Sequence, residues 1–168
     1  FFWDEEKGAY IDSFTSGRRN VTRHANIFAI LFSIADETKQ EKILKNVLEN
    51  DEIPAITTPY FNFFELDVLC RMGKLTEVLD KIRSYWGGML DLGAVTFWEE
   101  YDPSVPKEEQ YDMYGDHFGK SLCHAWAASP IYFLAKYFAG LDLVNKDGVT
   151  YILKPQMQYF TELDCTLP

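Results

Sequence analysis

Two kinds of helical segment alternate along the first half of the chain, and this alternation most constrains how the chain can fold. Residues 20–36 and 58–73 are predicted as helices that are apolar on most faces, whereas residues 36–50 and 74–86 carry one apolar stripe among charges. A helix that is apolar all round must be covered on most sides, and a helix with one stripe packs at the outside. The two buried helices begin about 38 residues apart, a period typical of stacked helical hairpins.

Local signals mark where these helices begin and end. Asp36 or Thr38 can cap the first outer helix, and Thr58 can cap the second buried helix with Pro59 at its first position. Gly73 is a suitable stop for that helix. The apolar stripes of the two outer helices consist of Ile43, Leu44, Val47, Leu48, Leu75, Val78, Leu79 and Ile82.

The second half of the chain does not continue this alternation of buried and amphipathic helices. Residues 87–120 are predicted as a long loop, and residues 121–140 as a third buried helix. Pro130 inside that segment predicts either a kink or a helix that starts shortly before it, and Gly140 ends the helix. Two short β-type runs then flank Asn-Lys-Asp-Gly at residues 145–148, a β-hairpin signal.

The pattern predicts an all-α fold class in which helical hairpins form an inner and an outer ring. Two complete hairpins and part of a third cannot close such a ring, so we expect a fragment, or an incomplete ring completed by another chain. Residues 1–140 are predicted as a partial barrel and residues 141–168 as the start of a C-terminal β domain. An open ring edge would expose apolar surface, which predicts self-association.

Charge and composition exclude several classes of partner. The net charge of −10 disfavours nucleic acid, whose binding needs clustered Lys and Arg. No apolar run is long enough to span a bilayer. Residues 1–19 mix polar and aromatic side chains, which predicts a loop rather than a signal peptide, and the compartment of the protein stays unknown.

The three cysteines do not form a metal or disulfide motif. Cys70 and Cys123 lie in apolar helical stretches and are predicted to be small buried hydrophobes, and Cys165 leaves the count odd. The sequence contains neither CxxC nor HExxH. No metal is therefore expected.

A pair of carboxylates in the long loop is the strongest candidate for chemistry. Glu99 and Glu100 follow Trp98 and Phe97 and precede Tyr101, an unusually apolar setting for surface acids. Neighbouring residues point in different directions, so only one of the two is expected to face a cavity. An ionised carboxylate there can accept a proton from water. The alternative is a solvated acidic loop.

Histidines and aromatic residues give weaker candidates. His124, next to Trp126, could hydrogen-bond a sugar hydroxyl or could be a core histidine with satisfied hydrogen bonds. His24 is a weaker version of the same case, and His117 in a glycine-rich loop is uninformative. Tyr60 begins the second inner helix, where a cavity rim is expected.

Side chains ahead of the first inner helix also suit such a rim. Trp3, Asp4 and Asp12 occupy this position. Acids near a helix start commonly serve only as caps, so both interpretations stay open.

Four segments of the chain carry a family resemblance, and they are "HANIFAILFSIAD", "TPYFNFFELDVLCRMG", "YWGGMLDLGAVTFWEEYDP" and "YGDHFGKSLCHAWAASPIYFLAKYFAG". Together they resemble the catalytic domain of bacterial α-L-rhamnosidases, which are inverting glycoside hydrolases with an (α/α)6-barrel. The resemblance covers roughly residues 1–140, and the remaining tail resembles the entry to the β-sandwich that follows the barrel in that family.

The resemblance implies roles for particular residues. Glu99, directly after Trp98, matches the general base of the family, and His124 in "LCHAW" matches a histidine that contacts rhamnose. Trp98 and Asp12 are expected as further sugar contacts, with Tyr60 at the rim. The substrate would be a rhamnose-containing glycan or glycoside, and no cofactor is expected because two carboxyl groups suffice.

One half of the catalytic pair has no match in this sequence. The general acid of the family lies on an earlier Asp- and Arg-rich segment of the barrel, and nothing here resembles that segment. The parent polypeptide is thus expected to be the enzyme, and this chain alone is expected to have little or no activity. Two alternatives are a carbohydrate-binding module without catalysis and a sugar epimerase with His24 and His124 as proton carriers.

Overall fold

The chain is helix-rich and carries small two-stranded antiparallel sheets. A computed structural model describes residues 1–144 and 150–166. In chain order the strands and α-helices are β1 (Trp3–Asp4), β2 (Ala9–Tyr10), α1 (Arg23–Leu31), α2 (Glu37–Ile43), α3 (Pro59–Arg71), α4 (Leu75–Lys81), α5 (Gly87–Asp91), α6 (Ser129–Phe133), β3 (Leu141–Leu143) and β4 (Tyr151–Leu153). Short π-helical turns extend α2, α4 and α6.

Several predicted helix boundaries are confirmed. The Asp36 carboxylate accepts a hydrogen bond of 2.9 Å from the Lys39 N–H, so Asp36 caps α2. Helix α3 starts at Pro59, where the missing N–H costs no helical hydrogen bond. It ends at Arg71, and Gly73 follows with a φ of 73°, a backbone conformation that glycine adopts without strain.

The apolar stripe predicted for the first outer helix is buried. All four of its residues lie in the core, whereas in α4 only the central two of the stripe do so. The buried stripe residues are Ile43, Leu44, Val47, Leu48, Val78 and Leu79.

Regular structure at the N-terminus differs from the prediction. The segment predicted as a loop contains β1 and β2, which pair Trp3 with Tyr10. Helix α1 is shorter than predicted because the chain leaves it after Leu31, and Ser33 adopts a φ of 57°. Phe32 and Ile34 beyond its end are exposed, so apolar composition alone overstated its length.

The second half also corrects two predictions. The long loop begins later than residue 87, because α5 occupies Gly87–Asp91. The predicted third helix starts at Ser129, shortly before Pro130, which confirms one of the two alternatives for its start. Its predicted burial on most faces is wrong, because Ile131 and Tyr132 are exposed while Phe133 packs in the core. Cys70 is buried as predicted, but Cys123 is exposed and lies at a bend rather than in a helix.

Backbone contacts divide the chain into two compact units. The first contains Phe1–Thr57 and Phe61–Val68, and the second contains Thr58–Tyr60 and the chain from Leu69 onward. In the first unit, the buried Asn26 side chain of α1 accepts from the Tyr10 N–H and donates to the Tyr10 carbonyl oxygen, at 2.8 and 2.9 Å. One amide group therefore fixes the N-terminal hairpin to α1.

The second unit contains α4 to α6, the long loop and the C-terminal hairpin. Strands β3 and β4 are antiparallel, with Leu141 opposite Leu153, as the sequence predicted. The predicted turn at 145–148 lies outside the described residues. Among the described residues, no helix combines the length and apolarity that a membrane crossing needs.

Candidate functional site

Two segments without regular structure, residues 96–99 and 121–124, lie side by side in the second unit. The His124 N–H donates to the Phe97 carbonyl oxygen at 2.8 Å, and the Glu99 N–H donates to the Ser121 carbonyl oxygen at 2.9 Å. The Thr96 hydroxyl also donates to the Leu122 carbonyl oxygen. These backbone contacts bring Glu99 and His124 to neighbouring positions although 25 residues of sequence separate them.

The helical segment from α4 to α5 holds the chain just after both of these segments. The Tyr101 N–H donates to the Tyr85 hydroxyl at 3.2 Å, and the Trp86 indole N–H donates to the Ala127 carbonyl oxygen at 2.8 Å. A Cβ atom at Gly88 would clash with the Tyr101 ring, so glycine allows the loop to approach this closely. Two consecutive aromatic residues thus hold the chain on both sides of the site.

The Glu99 carboxylate is buried and held by neutral donors. Glu99 is 9% exposed, whereas Glu100 is half-buried. The Ser121 N–H donates to Glu99 Oε2 at 3.1 Å, and the Tyr114 hydroxyl donates to Glu99 Oε1 at 3.3 Å. His124 Nδ1 lies 3.8 Å from Oε2. Both oxygens therefore have defined orientations.

Charge near the carboxylate comes from a buried lysine and several acids. Burial lowers the pKa of Lys120 below its ordinary value, while the negative charges of Glu100, Asp102 and neighbouring acids oppose that shift. The negative charge of Glu99 raises the pKa of the Tyr114 phenol, and the hydrogen bond between them acts in the same direction. Tyr114 thus remains a protonated donor at neutral pH.

Aromatic rings form an exposed surface beside His124. The His124 and Trp126 ring centroids are 4.1 Å apart with the planes inclined by 34°, and the Trp126 and Tyr60 centroids are 5.5 Å apart. Trp126 is 47% exposed and Tyr60 is 46% exposed. Exposed rings can stack on the apolar face of a ligand, so this surface is suited to binding a ring-shaped molecule.

The other predicted site residue of the second unit, Trp98, is a core residue in this structure. Its indole is only 3% exposed and packs on the Tyr111 ring, with centroids 5.6 Å apart. Its contact with a sugar remains a prediction. The position of Trp98 means that it can support the adjacent Glu99 from within the core.

The candidate residues of the first unit have local partners. The exposed Asp12 carboxylate accepts from the Thr22 hydroxyl at 2.7 Å, and its role in binding remains a prediction. Asp4 accepts from the Glu6 and Lys7 N–H groups and forms an ion pair of 2.7 Å with Arg19, so it holds the turn of the N-terminal hairpin rather than capping a helix. The His24 ring packs edge-on against the Phe61 ring, with centroids 4.4 Å apart.

Three residues of the site were missing from the prediction. Ser121 and Tyr114 bind the carboxylate of Glu99, and Trp126 forms the centre of the exposed aromatic surface. A signal existed for Trp126, which lies two residues after His124. No sequence signal relates Ser121 or Tyr114 to Glu99, because long-range pairing of the loop brings them together.

Two concavities lie away from Glu99. An apolar pocket of about 520 Å³ in the second unit includes Trp86, Leu90 and Val95 in its wall, with no carboxylate among its lining residues. A polar groove of about 720 Å³ in the first unit includes Asn46 and Asn50. Neither includes Glu99, and the apolar pocket has no acid or base for catalysis.

Comparison with known proteins adds no assignment. A scan against protein-family models finds no match, and a search of curated proteins finds no significantly similar sequence. Geometry alone therefore defines the class of site, a buried carboxylate with neutral hydrogen-bond donors beside exposed aromatic rings. Such a carboxylate can accept a proton from a bound water or hydroxyl group.

Proposed function

We propose that this chain supplies the general base and part of the sugar-binding surface of an inverting glycoside hydrolase of the α-L-rhamnosidase kind. The observation that carries the proposal is the Glu99 carboxylate, buried and oriented by Ser121 and Tyr114 and flanked by His124. The proposal includes an (α/α)6-barrel to which the helical hairpins belong, followed by a β-sandwich.

In this mechanism the ionised Glu99 takes a proton from a water molecule. The water oxygen forms a bond to the anomeric carbon as the glycosidic bond breaks on the opposite face, which inverts the configuration. A second carboxyl group, roughly 6.5–9.5 Å from the first in such enzymes, gives its proton to the leaving oxygen. We place this acid on a separate segment of a longer polypeptide, so the chain alone should turn over little or no substrate.

Sugar binding would use the residues around Glu99. His124 would hydrogen-bond a hydroxyl group of the rhamnosyl unit, and Tyr60 would stack on an apolar ring face. The exposed position of Trp126 between them supports this assignment. Trp98 and Asp12 each remain a proposed sugar contact.

The test is hydrolysis of an aryl α-L-rhamnoside by the longest parent polypeptide that contains this segment. Glu99→Gln should lower the rate by about 10²–10⁴-fold, because Gln cannot accept the proton. Glu100→Gln is the matched control and should leave most of the rate. Circular dichroism should show that both variants are folded. An active parent that tolerates Glu99→Gln but not Glu100→Gln would move the base to Glu100.

A second candidate is sugar binding without turnover. The observation that favours it is the exposed pair of Trp126 and Tyr60, which a binding module would also present. Titration of the folded chain with methyl α-L-rhamnoside, followed by tryptophan fluorescence, should then show saturation that Trp126→Ala abolishes. Binding together with an inactive parent would favour this candidate over hydrolysis.

A further inference from the structure

A tight turn next to Glu99 contains an unusual residue. The Met113 N–H donates to the Asp116 carbonyl oxygen and the Asp116 N–H donates to the Met113 carbonyl oxygen, both at 3.0 Å. Between them, Tyr114 and Gly115 have φ values of 56° and 81°. A two-residue turn with both φ values positive strongly prefers Asn, Asp or Gly at its first position. A tyrosine in this conformation is disfavoured by its Cβ.

Burial does not explain why tyrosine occupies this position. The Tyr114 side chain is 84% exposed, so it gains little by packing. Its hydroxyl lies 3.3 Å from Glu99 Oε1, while the Ser121 N–H binds the other carboxylate oxygen. The hydrogen bond to Glu99 is thus the contact that a tyrosine supplies here and that Asn or Gly would not.

We infer that Tyr114 is a positioning residue, retained in a disfavoured backbone conformation because its hydroxyl orients the Glu99 carboxylate. Ser121 and Tyr114 each hold one oxygen, so the pair sets the rotation of the carboxylate plane. The structural part of this inference concerns the two side chains alone, and its catalytic consequence rests on the proposed function.

The electrostatic interaction between the two groups gives a direct test. The charge of Glu99 raises the pKa of the Tyr114 phenol, and Glu100 contributes less in the same direction. The chain is labelled with tyrosine carrying ¹³C at Cζ, and the resonance lost in Tyr114→Phe identifies Tyr114. Its titration midpoint should fall in Glu99→Gln and change much less in Glu100→Gln. A midpoint that does not respond to Glu99→Gln would overturn the inference.

A second test separates positioning from a structural role in the turn. Tyr114→Asn places a preferred residue in the turn, so resistance to urea should be kept or increased. Both Tyr114→Asn and Tyr114→Phe should lower kcat of the parent polypeptide about tenfold with little change in KM. Full activity in Tyr114→Asn would show that the hydroxyl does not position the base. A parent without activity would refute the proposed function, and the ¹³C titration would then decide the positioning role by itself.

Discussion

Glu65 and Glu99 are both buried carboxylates, but they are held in opposite ways. In the first unit, Glu65 is 2% exposed and forms an ion pair of 3.0 Å with the buried Arg23 guanidinium, which also donates to the Leu48 carbonyl oxygen. In the second unit, Glu99 is bound by a backbone N–H and a phenol, with His124 at 3.8 Å. A guanidinium at hydrogen-bond distance compensates the first carboxylate, whereas the donors that bind the second are neutral and its cation, Lys120, acts only through its charge.

Under the proposed function, this difference separates a structural acid from a catalytic one. A carboxylate paired with a guanidinium in the core is committed to that pair, because taking either partner away leaves a buried charge uncompensated. A carboxylate held by neutral donors keeps its basic lone pairs within reach of a water molecule. The contrast predicts that changes at Glu65 act on stability, and that changes at Glu99 act on catalysis.

The largest effect on stability is expected for Glu65→Gln. It removes the negative partner of Arg23 and leaves a buried guanidinium, which should lower the free energy of unfolding by about 3–5 kcal/mol. Glu99→Gln keeps an acceptor oxygen for the Ser121 N–H, so it should change the free energy of unfolding by about 1 kcal/mol or less. Urea unfolding followed by circular dichroism measures both.

A double variant sharpens the same comparison. Arg23→Met combined with Glu65→Met removes both charges and should recover most of the stability that Glu65→Gln loses, since apolar residues of similar volume can replace a buried pair. If the double variant is as unstable as Glu65→Gln, then packing around Glu65 rather than its charge determines the loss.

The next largest effect is expected at the helix that supports Glu99. Gly88→Ala introduces a Cβ against the Tyr101 ring and should destabilise the protein by about 1–3 kcal/mol through overpacking. Gly87→Ala, on the same helix, meets open space and should be neutral or slightly stabilising, because alanine favours a helix. Differential scanning fluorimetry measures the melting temperatures of the two variants, and that of Gly88→Ala should be the lower. Equal melting temperatures would mean that Tyr101 moves away freely.

A similar loss of stability is expected when the hydrogen bond from the Trp86 indole to the turn after His124 is removed. Trp86→Phe removes the donor to the Ala127 carbonyl oxygen within the core, which should cost about 1–3 kcal/mol. Trp126→Phe changes an exposed ring and should stay within about 0.5 kcal/mol. Urea unfolding measures the stability of both variants. Comparable losses of stability in Trp86→Phe and Trp126→Phe would contradict the assigned role of the Trp86 indole.

The smallest effect is expected at Asp4, a third well-bound carboxylate. Its hydrogen bond to Arg19, with those from the Lys7 and Glu6 N–H groups, holds the pKa of Asp4 below its ordinary value. A depressed native pKa gives stability that is present above the unfolded pKa of about 3.9 and lost as the pH falls towards the native pKa. Asp4→Asn should therefore lose less stability than the wild type between pH 6 and pH 3. Thermal melts across this range measure the difference, and parallel curves would exclude a contribution from Asp4.

Local chemistry determined the parts of the fold that the sequence predicts well. Asp36 caps α2, Pro59 starts α3, and Pro130 follows the start of α6, because caps and proline act within one turn of helix. Glu99 and His124 were also identified as candidates from their residue type and neighbours. In each case the information lies within a few residues of the position.

Tertiary structure decided the rest, because hydrogen bonds between distant backbone groups leave no periodic trace in the sequence. The pairing of Glu99 with Ser121 turned the Glu99 carboxylate into the protein and left Glu100 only half-buried. In the same region Cys123 is exposed, and the Tyr114 hydroxyl reaches Glu99 across 15 positions of sequence. The sequence by itself determined where helices begin and end and which residues are candidates for a site. Only long-range contacts decided which of those residues meet.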